Sequence, residues 1–142
     1  MNEENLKKLV HDFIAKHSIG VLATTTAEGK PEAAVITIIV TDGLEIIFET
    51  FTNYRKYQNL KKNSSIALIV GWDEKITVQY EGIAEELYGD ALQKYKGEYF
   101  LTHLKLKKWD DLPEMVWFKI SPKWARYLDN NTDPRTVYEI TF

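Results

Sequence analysis

Leu6, Leu9, Val10, Phe13 and Ile14 recur at i, i+3, i+4, i+7 and i+8, one apolar stripe along an amphipathic helix. Asn2 is placed to cap it, and Glu3 and Glu4 fall in the first turn, where the helix dipole favours acids. Lys16 and His17 fall in the last turn. The period then changes. Ile19 to Thr25 (IGVLATT) is a short run of β-forming residues, ended by the turn sequence Ala27-Glu28-Gly29-Lys30-Pro31. Glu32 to Thr41 (EAAVITIIVT) is nearly all apolar and reads as a strand buried on both faces. Asp42-Gly43 signals a hairpin, and Leu44 to Thr50 (LEIIFET) is the returning strand. These turns predict an antiparallel meander.

Further on, Asn53 to Lys62 has helix character, with Tyr57 and Leu60 as its apolar contacts. Ser65 to Trp72 reads as a buried strand. Lys75 to Glu85 alternates, with Ile76, Val78 and Tyr80 on one face. Gly82 within it predicts a bulge or bend. Asp90 to about Lys107 is a second long helix with Leu92, Tyr95, Tyr99 and Leu106 on its apolar side. Strands Met115–Ser121 and Lys123–Asp129, a turn over 130–134 and a last strand 136–142 complete about eight strands and three helices. Closely spaced strands with glycine turns predict a mainly β domain, a barrel or sandwich with flanking helices.

The 142 residues suit a single domain, 1–142, with no linker or repeat. The chain has no cysteine, which excludes disulfides, thiolate metal sites and cysteine nucleophiles. No apolar run approaches the roughly 20 residues of a membrane helix, and the acidic N-terminus does not resemble a secretory signal. The expectation is a cytoplasmic protein with no membrane partner. A formal charge of −3 argues against a nucleic-acid partner, despite lysines at 61, 62, 105, 107 and 108.

Candidate catalytic groups are few. His11, His17 and His103 are scattered without metal-ligand spacing, so no metal site is expected. Asp110-Asp111 reads as loop residues ahead of Leu112-Pro113. The informative stretch is Thr50 to Trp72, which carries Arg55, Lys56, Lys61 and Lys62 and no acid, a formal +4. Arg55 and Lys56 open the short helix after Thr52 and Asn53, two cap candidates. Cations there oppose the helix dipole unless an anion is bound. Free backbone amides, two cations and hydroxyls make a phosphate site; a solvated basic helix is the plainer alternative.

The segment FETFTNYRKYQNLKKNSSIALIV, the LATTT strand, the Gly29-Lys30-Pro31 turn, the Asp42-Gly43 hairpin and Gly82-x-Ala84-Glu85 together resemble the pyridoxamine 5′-phosphate oxidase-like family. The resemblance covers roughly residues 19–86. It implies a six-stranded antiparallel split β-barrel, a homodimer, and FMN in a cleft at the subunit interface. In that frame Arg55 and Lys56 hold the FMN phosphate, and Thr50, Thr52 and Asn53 add hydroxyl and backbone donors. The flavin ring lies along Val35, Ile36 and Thr37. Thr77 occupies the position of a ring-contacting glutamine from the other subunit, and Trp124 is a further candidate ring contact, with Arg126 on the same strand face.

The sequence also departs from the family pattern. Ala34 and Ile39 stand where the oxidase has an arginine and a lysine on the phosphate, and Tyr54 where it has a serine. Each lost charge-assisted hydrogen bond is worth about 1.5–3 kcal/mol, so FMN affinity is expected to fall by powers of ten or vanish. Two readings follow. One is an FMN-dependent oxidoreductase of unknown substrate. The other is a non-catalytic split-barrel dimer that has weakened or lost flavin binding and serves as a binding module.

Overall fold

The computed structural model describes residues 1–110 and 112–142, so Asp111 of the expected Asp110-Asp111 loop pair lies outside the described residues. Helix α1 (Glu3–Ala15) starts as the spacing predicts: the Asn2 side chain accepts from the Asn5 amide at 2.8 Å. Leu6, Val10, Phe13 and Ile14 are its buried stripe. Then come β1 (Ile19–Thr25), β2 (Pro31–Thr37), β3 (Ile39–Val40), β4 (Ile46–Phe51), α2 (Arg55–Lys62), β5 (Ser65–Val70) and β6 (Ile76–Glu86). Helix α3 (Gly89–Thr102), a 3-10 segment (Leu104–Trp109), β7 (Met115–Asp129) and β8 (Thr136–Thr141) follow.

Every strand pair is antiparallel, in the order β2-β1-β5-β6-β7-β4-β3, with β8 added to β7. β2 and β3 are one chain run bent at Ile38. The first half pairs with β1 and the second with β4, so this run joins the two edges of the sheet into a barrel. The Ile38 amide is anchored on the Ser18 carbonyl at 3.0 Å. Among the described residues no ladder links β2 to β4, and that gap is the split. The mainly β, split-barrel expectation therefore holds.

The run from Glu32 to Thr41 departs from the expectation of two-face burial. β2 pairs on one side only, and Val35 is 62% exposed. A run of apolar residues cannot distinguish a strand covered on both faces from one whose outer face lines an opening. In the hairpin, the left-handed residue is Leu44 (φ 62), not Gly43. Leu44 is 2% exposed, and Tyr80 donates its hydroxyl to the Leu44 carbonyl at 2.7 Å, so burial and a hydrogen bond hold a conformation that leucine disfavours. The two expected C-terminal strands are one, β7, which passes Pro122 through a bulge. Glu81 faces Trp124 while Gly82 faces Pro122, leaving Lys123 without a partner in β6. Helix α3 also ends earlier than expected, at Thr102.

The barrel interior is filled by Leu22, Ile36, Phe48, Leu68, Tyr80 and Ile120, among others. A second apolar layer lies outside it, where Ile39, Ile47 and Trp117 meet Tyr99 and Phe100 of α3. Burying each such side chain contributes about 1.5–3 kcal/mol. Among the described residues, no helix is long and apolar enough to cross a membrane.

Candidate functional site

Helix α2 begins at Arg55 because the chain turns off the end of β4. The Thr52 amide donates to the Glu114 carbonyl and the Tyr54 amide to the Phe51 carbonyl. Tyr54 occupies the N-cap with extended backbone, and no side chain caps the helix; neither Thr52 nor Asn53 takes that role. The first turn contains no acid. Its orphan amides and the positive end of the helix dipole therefore stay available to an anion.

This helix start forms one wall of a cleft of about 420 Å³. Leu22 and Thr24 of β1 and residues 32–35 of β2 form the other wall, with Asn53, Tyr54, Arg55 and Lys56 opposite. The two cations differ. The Arg55 guanidinium pairs with the Glu32 carboxylate at 2.9 Å. Glu32 also accepts from the Asn59 amide at 2.9 Å, and the same Asn59 nitrogen donates to the Thr24 hydroxyl at 2.9 Å. Lys56 is half-buried, its ammonium 4.9 Å from the Tyr54 ring centroid, and no carboxylate lies within ion-pairing distance of it among the described residues. Burial lowers its pKa, with the Glu49 charge opposing and Arg55 reinforcing that shift.

The formal +4 of residues 50–72 is thus half-compensated in space. Glu32 takes Arg55, and Glu86 takes Lys61 at 3.0 Å. Sequence reasoning missed Glu32, Asn59 and Thr24. Alternation held a clue for Glu32, which shares its strand face with Ala34 and the buried Ile36.

The structure gathers Val35, Asn53, Arg55 and Lys56 around one cleft. Thr50 lies at the end of β4, its hydroxyl buried and without a partner. Thr52 is half-buried in the turn. Ile36 sends its side chain into the barrel core and can offer a ligand only backbone. Thr37 lies beside the Tyr99 hydroxyl. Ala34 lines the cleft, whereas Ile39 is buried beneath α3. Within one chain, Thr77 and Trp124 lie elsewhere: Thr77 points at the Val70 carbonyl, and Trp124 packs under Arg126 at 5.1 Å, where Glu139 holds the guanidinium.

The histidines each have local partners: His11 on Asp12, His17 on the Phe13 carbonyl and His103 on the Ile38 carbonyl. Asp110 pairs with Lys96. Beside the cleft, Glu49 accepts a hydrogen bond from the Tyr99 hydroxyl. Burial raises the Glu49 pKa, the hydrogen bond opposing, and burial raises that of Tyr99 with the Glu49 charge adding to the effect.

Among known proteins, General stress protein 26 of Bacillus subtilis (strain 168) is 28% identical over 96% of this chain and 83% of its own. The crystal structure of General Stress Protein 26 from Bacillus anthracis str. Sterne superposes with a TM-score of 0.74 at 21% identity, over 96% of this chain and 99% of that one. A heme binding protein from Mycobacterium smegmatis has a TM-score of 0.80 at 18% identity; it covers 99% of this chain, which spans only 59% of it. A family profile described as pyridoxamine 5′-phosphate oxidase matches residues 6–129. With the split barrel and this match over most of its length, the chain belongs to the pyridoxamine 5′-phosphate oxidase family.

Proposed function

We propose that the protein is a cytoplasmic, homodimeric flavoprotein that binds FMN through the cleft at the start of α2, and that it is an oxidoreductase. The carrying observation is the uncapped helix start with Lys56 and Arg55 beside it and no acid in the first turn. FMN would supply the electron-transfer chemistry, and the protein its placement and electrostatics. The first-turn amides and Lys56 hold the phosphate. Arg55 joins them on leaving Glu32. Thr77 and Trp124, distant from the cleft of their own chain, would reach the ring only across a dimer.

The Glu32–Arg55 pair favours a second reading, a binding module with weak or no flavin affinity. It occupies one cation and sets a carboxylate against the incoming phosphate. Two variants separate the readings. Glu32→Gln removes the negative charge and keeps one acceptor oxygen for Asn59, which frees Arg55, and it should tighten FMN about tenfold. Arg55→Glu with Lys56→Glu should abolish binding. Calorimetric titration with FMN checks both. Wild-type protein that is purified colourless and shows no saturable FMN binding at millimolar ligand sinks the flavoprotein reading. Affinity that survives the charge reversal sinks the phosphate assignment.

A further inference from the structure

A second cavity, of about 310 Å³, lies between the outer face of β4 and β7 and the α3 and 3-10 segment. Its floor is set by strand register. Glu49 faces Trp117 and Phe51 faces Met115 across the ladder, so all four project to the same outer face. Phe100, Leu106 and Trp109 close the sides. Trp117 is packed edge-on by Tyr99 and Phe100, at 4.8 and 5.4 Å between ring centroids, which fixes the aromatic walls. The Phe51 ring also packs on Tyr54, so one aromatic pair separates this cavity from the cleft at α2.

Among the described residues, the only carboxyl in the cavity wall is that of Glu49. It accepts from the Tyr99 hydroxyl and from its own backbone amide, and no second side chain among the described residues donates to it. A half-buried carboxyl with a spare acceptor among aromatic rings is poised for a donor, because polar groups in apolar surroundings are costly unless they are hydrogen-bonded. The surrounding charges decide which donor. An anion would meet Glu49, with no cation among the described wall residues. A cation would meet Lys56, which is coupled electrostatically to Glu49, while the Lys96 ammonium, already paired with Asp110, occupies the edge of the Trp117 ring at 5.9 Å.

We propose that this cavity binds a small, uncharged aromatic molecule of one or two rings bearing an N–H or O–H group, which donates to Glu49 while its rings pack on Trp117, Phe100 and Trp109. The cavity volume sits at the lower end of small-ligand pockets, about 300–1,000 Å³, which matches such a molecule. The site excludes phosphate esters. It is separate from the phosphate-binding start of α2 and stands whether or not FMN binds there.

The test is calorimetry on the full chain with four naphthalene probes. 2-Naphthol should bind saturably at one site per chain. 2-Methoxynaphthalene, which has no donor, should bind about tenfold more weakly, the cost of one hydrogen bond. 2-Naphthyl phosphate and 2-(aminomethyl)naphthalene should also bind more weakly than 2-naphthol. Leu106→Trp, which fills the cavity, should remove 2-naphthol binding while the protein still melts cooperatively. Arg55→Glu, outside the cavity wall, should weaken FMN and leave naphthol binding unchanged, so loss of FMN and loss of naphthol are distinguishable. Equal affinity for all four probes, naphthol binding that survives Leu106→Trp, or competition between naphthol and FMN for one site would each overturn the proposal. So would absence of naphthol binding because a second copy of the chain covers the cavity.

Discussion

Glu49 and Glu32 are both acids against the barrel wall, and their surroundings treat them differently. Glu32 is held by Arg55 and Asn59, which offset the cost of its burial. Glu49 has Tyr99 alone as a side-chain donor, and burial holds its pKa above the usual carboxylate range. A raised folded-state pKa means that the folded protein favours the protonated acid. The associated stability is complete below the unfolded pKa of about 4.3 and is lost as pH rises through the folded value. Glu49→Gln keeps an acceptor for Tyr99 and removes the titration. Its melting temperature should therefore gain on the wild type as pH is raised from about 4 to 7. A difference that stays constant over that range would show that Glu49 is not desolvated as described.

Much of the element pattern was legible in the chain. Asn2 caps α1, Arg55 and Lys56 open α2, and Gly82 sits at a bulge, all as their residue types and spacings indicate. The misreadings have physical causes. Pro122 reads as a strand break, yet the bulge at Lys123 carries the proline, so β7 continues through it. The apolar run at 32–41 reads as interior, because composition is silent on whether a neighbour covers a strand. The charge run at 50–72 reads as wholly basic, because Glu32 is distant in sequence and arrives by strand pairing. Chain-local reasoning thus pointed to the helix start that walls the cleft but overestimated its charge. Gly82 gives the test at this scale: a Cβ there would stand 2.4 Å from the Ser121 carbonyl oxygen and 2.7 Å from the Ile120 side chain. Gly82→Ala should lower the melting temperature by about 5–10 °C, the effect of about 1–3 kcal/mol of overpacking. A shift within about 1 °C would mean that the bulge can open without cost.

At the scale of the molecule, the bend at Ile38 closes the barrel and also leaves it split, since β2 and β4 approach without a ladder. One side of β2 is bound to β1 and the other is free. Amide hydrogen exchange should register this as an alternation along a single strand. Amides turned toward β1 open only when the sheet opens, whereas amides turned toward the split exchange almost as fast as solvent allows. Flavin or a second subunit entering the gap would slow the fast set and leave the slow set unchanged. An exchange map of residues 32–37 therefore reports occupancy of the split without colour, activity or a known substrate, and uniform rates along β2 would show that the gap is not open.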